Sequence, residues 1–140
     1  MADVIYNSYK KILGDGAIDW LTDTIKVMLV TSAYTPDQDA HDFKDDITNE
    51  ISGTGYTAGG AALASKTNTQ DDTDDEGVQD AADTVWSGAT FTTRGAVIYK
   101  DTGTPSTSPI IAYIDFGEDK SPSGADFTIE WNAEGIININ

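Results

Sequence analysis

The residues whose types and spacing carry the most chemistry lie between Asp72 and Asp83, in the run DTDDEGVQDAAD. Counted from Asp72, carboxylates fall at positions 1, 3, 5, 9 and 12, namely Asp72, Asp74, Glu76, Asp80 and Asp83, with Gly77 at position 6. Calcium loops use this spacing, because carboxylates at alternate positions wrap the ion and the glycine permits a sharp turn. The run also departs from that pattern. Glu stands at position 5 where a shorter ligand is usual, Asp stands at position 12 in place of a bidentate Glu, and no long helical pattern flanks the segment. Its competing reading is a solvated acidic β-turn. Ca²⁺ is the one cofactor the sequence offers, and no other is expected.

The rest of the reactive inventory is thin. The chain has no cysteine, which excludes disulfides, thiolate metal sites and cysteine nucleophiles. Its single histidine, His41, lies in an acidic, turn-rich stretch, and no G-x-S-x-G nucleophile elbow occurs. The segment Gly53–Gly60 (GTGYTAGG) is glycine-rich like a phosphate loop, but the Gly-Lys-Ser/Thr that neutralises phosphate and holds Mg²⁺ is missing. It reads instead as a flexible loop or extended arm rich in left-handed backbone. Paired carboxylates of the glycosidase kind cannot be picked out of 24 acidic residues by sequence. No enzyme is expected.

Charge narrows the partners. Against those 24 acidic side chains stand 8 basic ones, for a formal net charge of −16. Such a surface repels phosphate backbones, and no basic patch offsets it, so nucleic-acid binding is disfavoured. No window approaches the ~18 uninterrupted apolar residues of a membrane helix. The N-terminal MADVIYNSYKK lacks a basic stretch followed by a long apolar one, so no signal peptide is expected.

The elements that must position these groups read as a β core within a single domain over residues 1–140. Two apolar runs dominate: Arg94–Asp101 (RGAVIYKD) and Ile110–Gly117 (IIAYIDFG), joined by a Thr/Ser/Pro/Gly loop at 102–109. In the first, Ala96 and Ile98 oppose Val97 and Tyr99. In the second, Ile110, Ala112, Ile114 and Phe116 oppose Ile111 and Tyr113. Strands apolar on both faces belong in the middle of a packed structure. Further strands are expected at Thr24–Thr31, Ala61–Thr69, Val78–Trp86, Ala89–Thr93, Phe127–Trp131 and Ile136–Asn140.

Val4–Leu13 has helical spacing behind a β-favouring start, and Asp39–Ile47 suggests one or two helical turns. The sum is an all-β, single-domain β-sandwich or jelly roll of about eight strands with one or two short helices. Trp86 and Trp131 are expected in the core. Trp20, Tyr34 and Tyr56 neighbour turns, where an aromatic serves either the core or an exposed interface. Tyr34, Gly53, Gly55, Tyr56, Gly59 and Gly60 are the interface candidates, and the N-terminal Met1–Leu13 and the terminal strand are further contact elements.

Three segments, DTIKVMLVTSAYTPD (23–37), ITNEISGTGYTAGGAAL (47–63) and TFTTRGAVIYKDTGTPSTSPIIAYIDFG (90–117), carry a likeness. With them the chain resembles small structural proteins of tailed bacteriophages and prophages, over most of its length. The resemblance implies a virion component made in the bacterial host cytoplasm. Its expected role is that of a head decoration or cement protein, bound as a homo-oligomer to the major capsid protein or other virion subunits. A tail or tail-fibre component is the alternative within that class. A calcium-dependent binding module using 72–83 is the alternative outside it.

Overall fold

Runs that are apolar at successive residues need cover on both sides of a sheet, and this chain supplies it with short polar strands, one helix and ordered loops. The computed structural model describes all of residues 1–140. It comprises β1 (Val4–Ile5), α1 (Asn7–Asp15), β2 (Ile25–Val30), β3 (Ala61–Ala62), β4 (Thr67–Asp71), β5 (Glu76–Asp80), β6 (Thr84–Thr90), β7 (Thr93–Lys100), β8 (Ile110–Lys120), β9 (Ser123–Ile129) and β10 (Ile137–Ile139). Two 3₁₀ turns lie at Lys44–Asp46 and Pro105–Thr107. The result is a mostly-β single domain with a sandwich-like arrangement.

A five-stranded antiparallel sheet runs in the order β1-β8-β7-β2-β3. Its central strands β2 and β7 pair from Ile25↔Lys100 to Val30↔Gly95 without a slip. One face carries Ile25, Val27, Leu29, Ala96 and Ile98, packed with Trp86, Ala89, Ile129 and Ile137 from the smaller sheets β6-β9 and β10-β5-β4. The other face carries Met28, Val30, Val97 and Tyr99, packed with Tyr6 and Tyr34. The expected burial of both faces is met.

Four expectations change in detail. In β8, Ile98 pairs with Ala112 but Tyr99 pairs with Ile110, so Ile111 is an extra residue at a bulge. That slip moves Ile110 to the side of Tyr99 and Tyr113, while Ile111 joins Ala112 and Ile114, against the simple alternation. The single strand expected over 61–69 breaks into β3 and β4, with Ser65 at φ 51° between them. The strand expected over 78–86 breaks at Ala81–Asp83, where Trp131 Nε1 donates to the Ala82 carbonyl at 3.1 Å. With β1 added at the N-terminus and the expected 89–93 strand divided between β6 and β7, the total is ten strands. Conversely, Ser87-Gly88 bulges within β6 without ending it, with Gly88 at φ 58°.

The N-terminus is both strand and helix. Val4 and Ile5 pair with Tyr113 and Ala112, and α1 follows at once. Its C-cap is Gly16, at φ 68°, whose region closes back onto the Ile12 and Leu13 carbonyls. Ala2 N–H donates to Ile136 O at 3.0 Å and Asp3 N–H to Tyr113 O at 3.0 Å. The first residues thus tie the five-stranded sheet to the chain entering β10.

Candidate functional site

The acidic run is a β-hairpin. Asp71 pairs with Glu76 and Thr67 with Asp80, and the four residues Asp72–Asp75 form the turn. Asp71 shapes that turn, its Oδ1 accepting from the N–H groups of Thr73 (2.8 Å) and Asp74 (3.3 Å). Asp75 takes the left-handed conformation at φ 57°, which Asp tolerates better than most residues.

Pairing of this kind separates the five candidate calcium ligands. Asp72 and Asp74 sit exposed at the tip. Glu76 accepts from Asn138 Nδ2 at 2.6 Å, turning it toward β10. Asp80 lies at the far end of β5, about 13 Å along an extended strand from Glu76. Its backbone carbonyl accepts from Trp20 Nε1 at 3.1 Å, while its buried Oδ1 takes no hydrogen bond from the chain. Asp83 is past the strand and accepts from the Trp131 N–H at 3.0 Å. Calcium needs its oxygens within 2.3–2.6 Å of one point. No three His, Asp or Glu side chains anywhere in the chain are grouped so as to hold a metal ion. The loop spacing is a linear pattern that the hairpin stretches out.

The glycine-rich bend is the second candidate, and it is packed rather than projecting. A Cβ on Gly53 would meet the Thr90 carbonyl oxygen at 2.5 Å, and one on Gly55 would meet that of Ser87 at 2.9 Å. Gly60 lies so close to β2 that a Cβ would overlap the Val27 carbonyl. Thr54 exchanges both backbone hydrogen bonds with Thr90. The arm expected from sequence is instead a segment laid against β2 and β6. Its glycines serve close backbone approach.

Polar groups lock the same bend from inside. Glu50 Oε1 accepts from the Tyr56 hydroxyl at 2.8 Å and from Gly59 N–H at 2.6 Å. The Tyr56 oxygen in turn accepts from Leu29 N–H at 3.0 Å, and the Tyr99 hydroxyl donates to the Gly59 carbonyl at 2.5 Å. Burial is the leading cause that pushes both phenols far above their ordinary range, so they stay protonated donors. Glu50 and Tyr99 carry no sequence signal for this role, which depends on residues 9 and 40 positions apart meeting. Of the interface candidates, Gly53 and Gly55 keep an exposed side, Tyr56 and Gly60 are half-buried, and Gly59 is buried.

Tyr34 is a correction to the interface candidates, and Trp20 takes the core reading of the two open to it. At 4% and 3% exposure, both are core residues and offer no surface to a partner. Tyr34 lies in a hydrogen-bonded chain, its oxygen 2.7 Å from Tyr6 Oη and 3.0 Å from His41 Nδ1. Asp37 N–H also donates to His41 Nδ1, at 3.2 Å. With two donors converging on Nδ1, the imidazole proton belongs on Nε2. His41 is thereby committed to holding the 34–41 turn, stacked on Tyr34 with ring centres 5.7 Å apart. Beside it, Asp46 accepts from the Asp42 and Phe43 N–H groups at 2.8 and 3.0 Å. Those backbone hydrogen bonds hold its carboxyl below the usual carboxylate range.

No helix of the structure is long and apolar enough to cross a membrane. Compared with protein-family models, curated proteins and solved structures, the chain matches none of them.

Proposed function

We propose that this chain is a non-enzymatic structural subunit of a tailed-bacteriophage virion, a decoration or cement protein that binds the outside of the head through contacts with the major capsid protein. The observation that carries the reading is where the phage-like segments fall. DTIKVMLVTSAYTPD supplies β2 and the Tyr34 turn, ITNEISGTGYTAGGAAL supplies the packed glycine bend, and residues 90–117 supply β7 and most of β8. These segments thus include strands of the central sheet together with exposed loops that join them.

The physical character of the domain suits the role. Particles are assembled in a reducing cytoplasm and then persist outside the cell. A Cys-free domain held by a core buried on both faces of its sheet tolerates both settings. A net charge of −16 keeps copies apart in solution before they meet a shell.

Reconstitution tests the reading. Particles assembled without this chain are mixed with the purified protein, sedimented, and heated to rupture. Saturable binding, at a copy number comparable with the capsid subunits and with a higher rupture temperature, is the expected result. Failure to co-sediment under conditions that preserve the particles would refute the decoration role. Binding that chelator abolishes would instead support the calcium-dependent module.

A further inference from the structure

The three-stranded sheet ends at β4, with no strand beyond it. Thr67–Asp71 makes five pairs with β5 in unbroken register, and its backbone bonds to nothing else in the chain. Thr67, Asn68, Thr69 and Gln70 are all exposed. Sheet edges are ordinarily protected by lysines, prolines, bulges or covering loops, and β4 has none of the first three and no cover. An open cleft of about 650 Å³ lies across the same sheet, lined by Asn68 and Gln70 of β4, Asp72 and Asp75 of the turn, Glu76 of β5 and Ile139 of β10.

Charge selects what such an edge accepts. From Thr67 to Thr93 the chain has no Lys or Arg, while Asp71, Asp72, Asp74, Asp75, Glu76, Asp80 and Asp83 lie within it. Lys66, just before the strand, is turned away onto the Asp23 carbonyl. We propose that β4 is a strand-addition edge that takes an extended, lysine- or arginine-bearing segment of a partner protein. Main-chain hydrogen bonds to the free edge supply the pairing, and the acidic turn supplies selection and steering. A second copy of this chain is the wrong occupant, because each copy brings a charge of −16. The edge side chains are polar, so the segment need not be apolar to lie beside them.

The proposal does not rest on the virion reading, and its test uses the isolated full chain. The ¹⁵N-labelled protein is titrated with the peptide acetyl-Lys-Thr-Val-Lys-Val-Thr-Lys-amide and with its counterpart bearing Glu at every Lys. Amide shifts and hydrogen exchange are followed. The expected result is shifts and slowed exchange confined to Thr67–Asp71 and the adjoining turn, with the Lys peptide only, weakening as salt rises above ~0.3 M. Asp72→Asn/Asp75→Asn, at two exposed turn positions, should weaken binding roughly five- to tenfold without lowering the melting midpoint. Equal binding of the Glu peptide, shifts away from β4, an unaffected double variant, or a peptide-free dimer paired through β4 would each overturn it.

Discussion

Gly60 illustrates how single residues fix this fold. It combines φ +80° with a position where a Cβ would overlap the Val27 carbonyl of β2. Gly60→Ala adds both left-handed strain and a backbone clash, and is expected to cost at least about 3 kcal/mol. Gly14 gives the contrast. It lies inside α1 with nothing within 4 Å of the added Cβ, so Gly14→Ala should raise stability by about 0.5–1 kcal/mol. Paired denaturant titrations measure both. Similar effects at the two sites would mean that the glycine bend is not packed against β2. At this scale the single histidine and two of the candidate metal ligands have structural employment: His41 accepts two hydrogen bonds, Asp83 caps the Trp131 N–H, and Glu76 engages Asn138.

At the scale of elements, the N-terminal segment does more than begin the chain. β1 covers the edge of β8, while the Ala2 and Asp3 N–H groups bond to Ile136 and Tyr113. Deleting Met1–Ile5 would strip those pairs and uncover β8, and should lower stability by about 2–4 kcal/mol from lost hydrogen bonds and apolar cover. A melting midpoint left unchanged by the deletion would show instead that this segment is a free arm.

Sequence legibility follows the range of the forces involved. β2, β7 and β8 are legible because Ile25–Val30, Ala96–Tyr99 and Ile110–Ile114 are apolar at almost every residue, and local pattern alone demands a central sheet. The Ile111 bulge is not legible, since it is a property of pairing with Ile98 and Tyr99. The glycine bend misleads for the same reason: left-handed backbone is local and readable, but close approach to Val27 and Ser87 is tertiary. The calcium-like spacing is satisfied along the chain and lost in the hairpin, where Glu76 and Asp80 occupy opposite ends of one strand.

Across the whole molecule, electrostatics set the response to solution conditions. Five ion pairs, all with partly exposed side chains, stand against the self-repulsion of 16 net negative charges. Exposed pairs of this kind contribute little and are screened by salt, as is the repulsion. Repulsion outweighs the pairs, so the melting midpoint at pH 7 should rise when salt goes from about 0.02 to 0.3 M. A fall would mean that the pairs dominate.

Acid acts in the opposite sense. Asp101, bonded by Lys26, Asp46, bonded by the Asp42 N–H, and Asp115, bonded by the Gly117 N–H, all have folded pKa values below their ordinary one. Their stabilisation is complete above the unfolded carboxylate value of about 4 and is lost as pH falls through the lower folded values.

The central claim is that the chain is a repeated component of a phage shell. Electron microscopy of purified particles, with the chain counted by quantitative mass spectrometry, tests it most directly. The account predicts copies spread over the head surface in fixed proportion to the major capsid protein. A few copies at one vertex, or a stack along a tube, would contradict the head assignment and place the chain in the tail. Its absence from particles would contradict the virion role altogether.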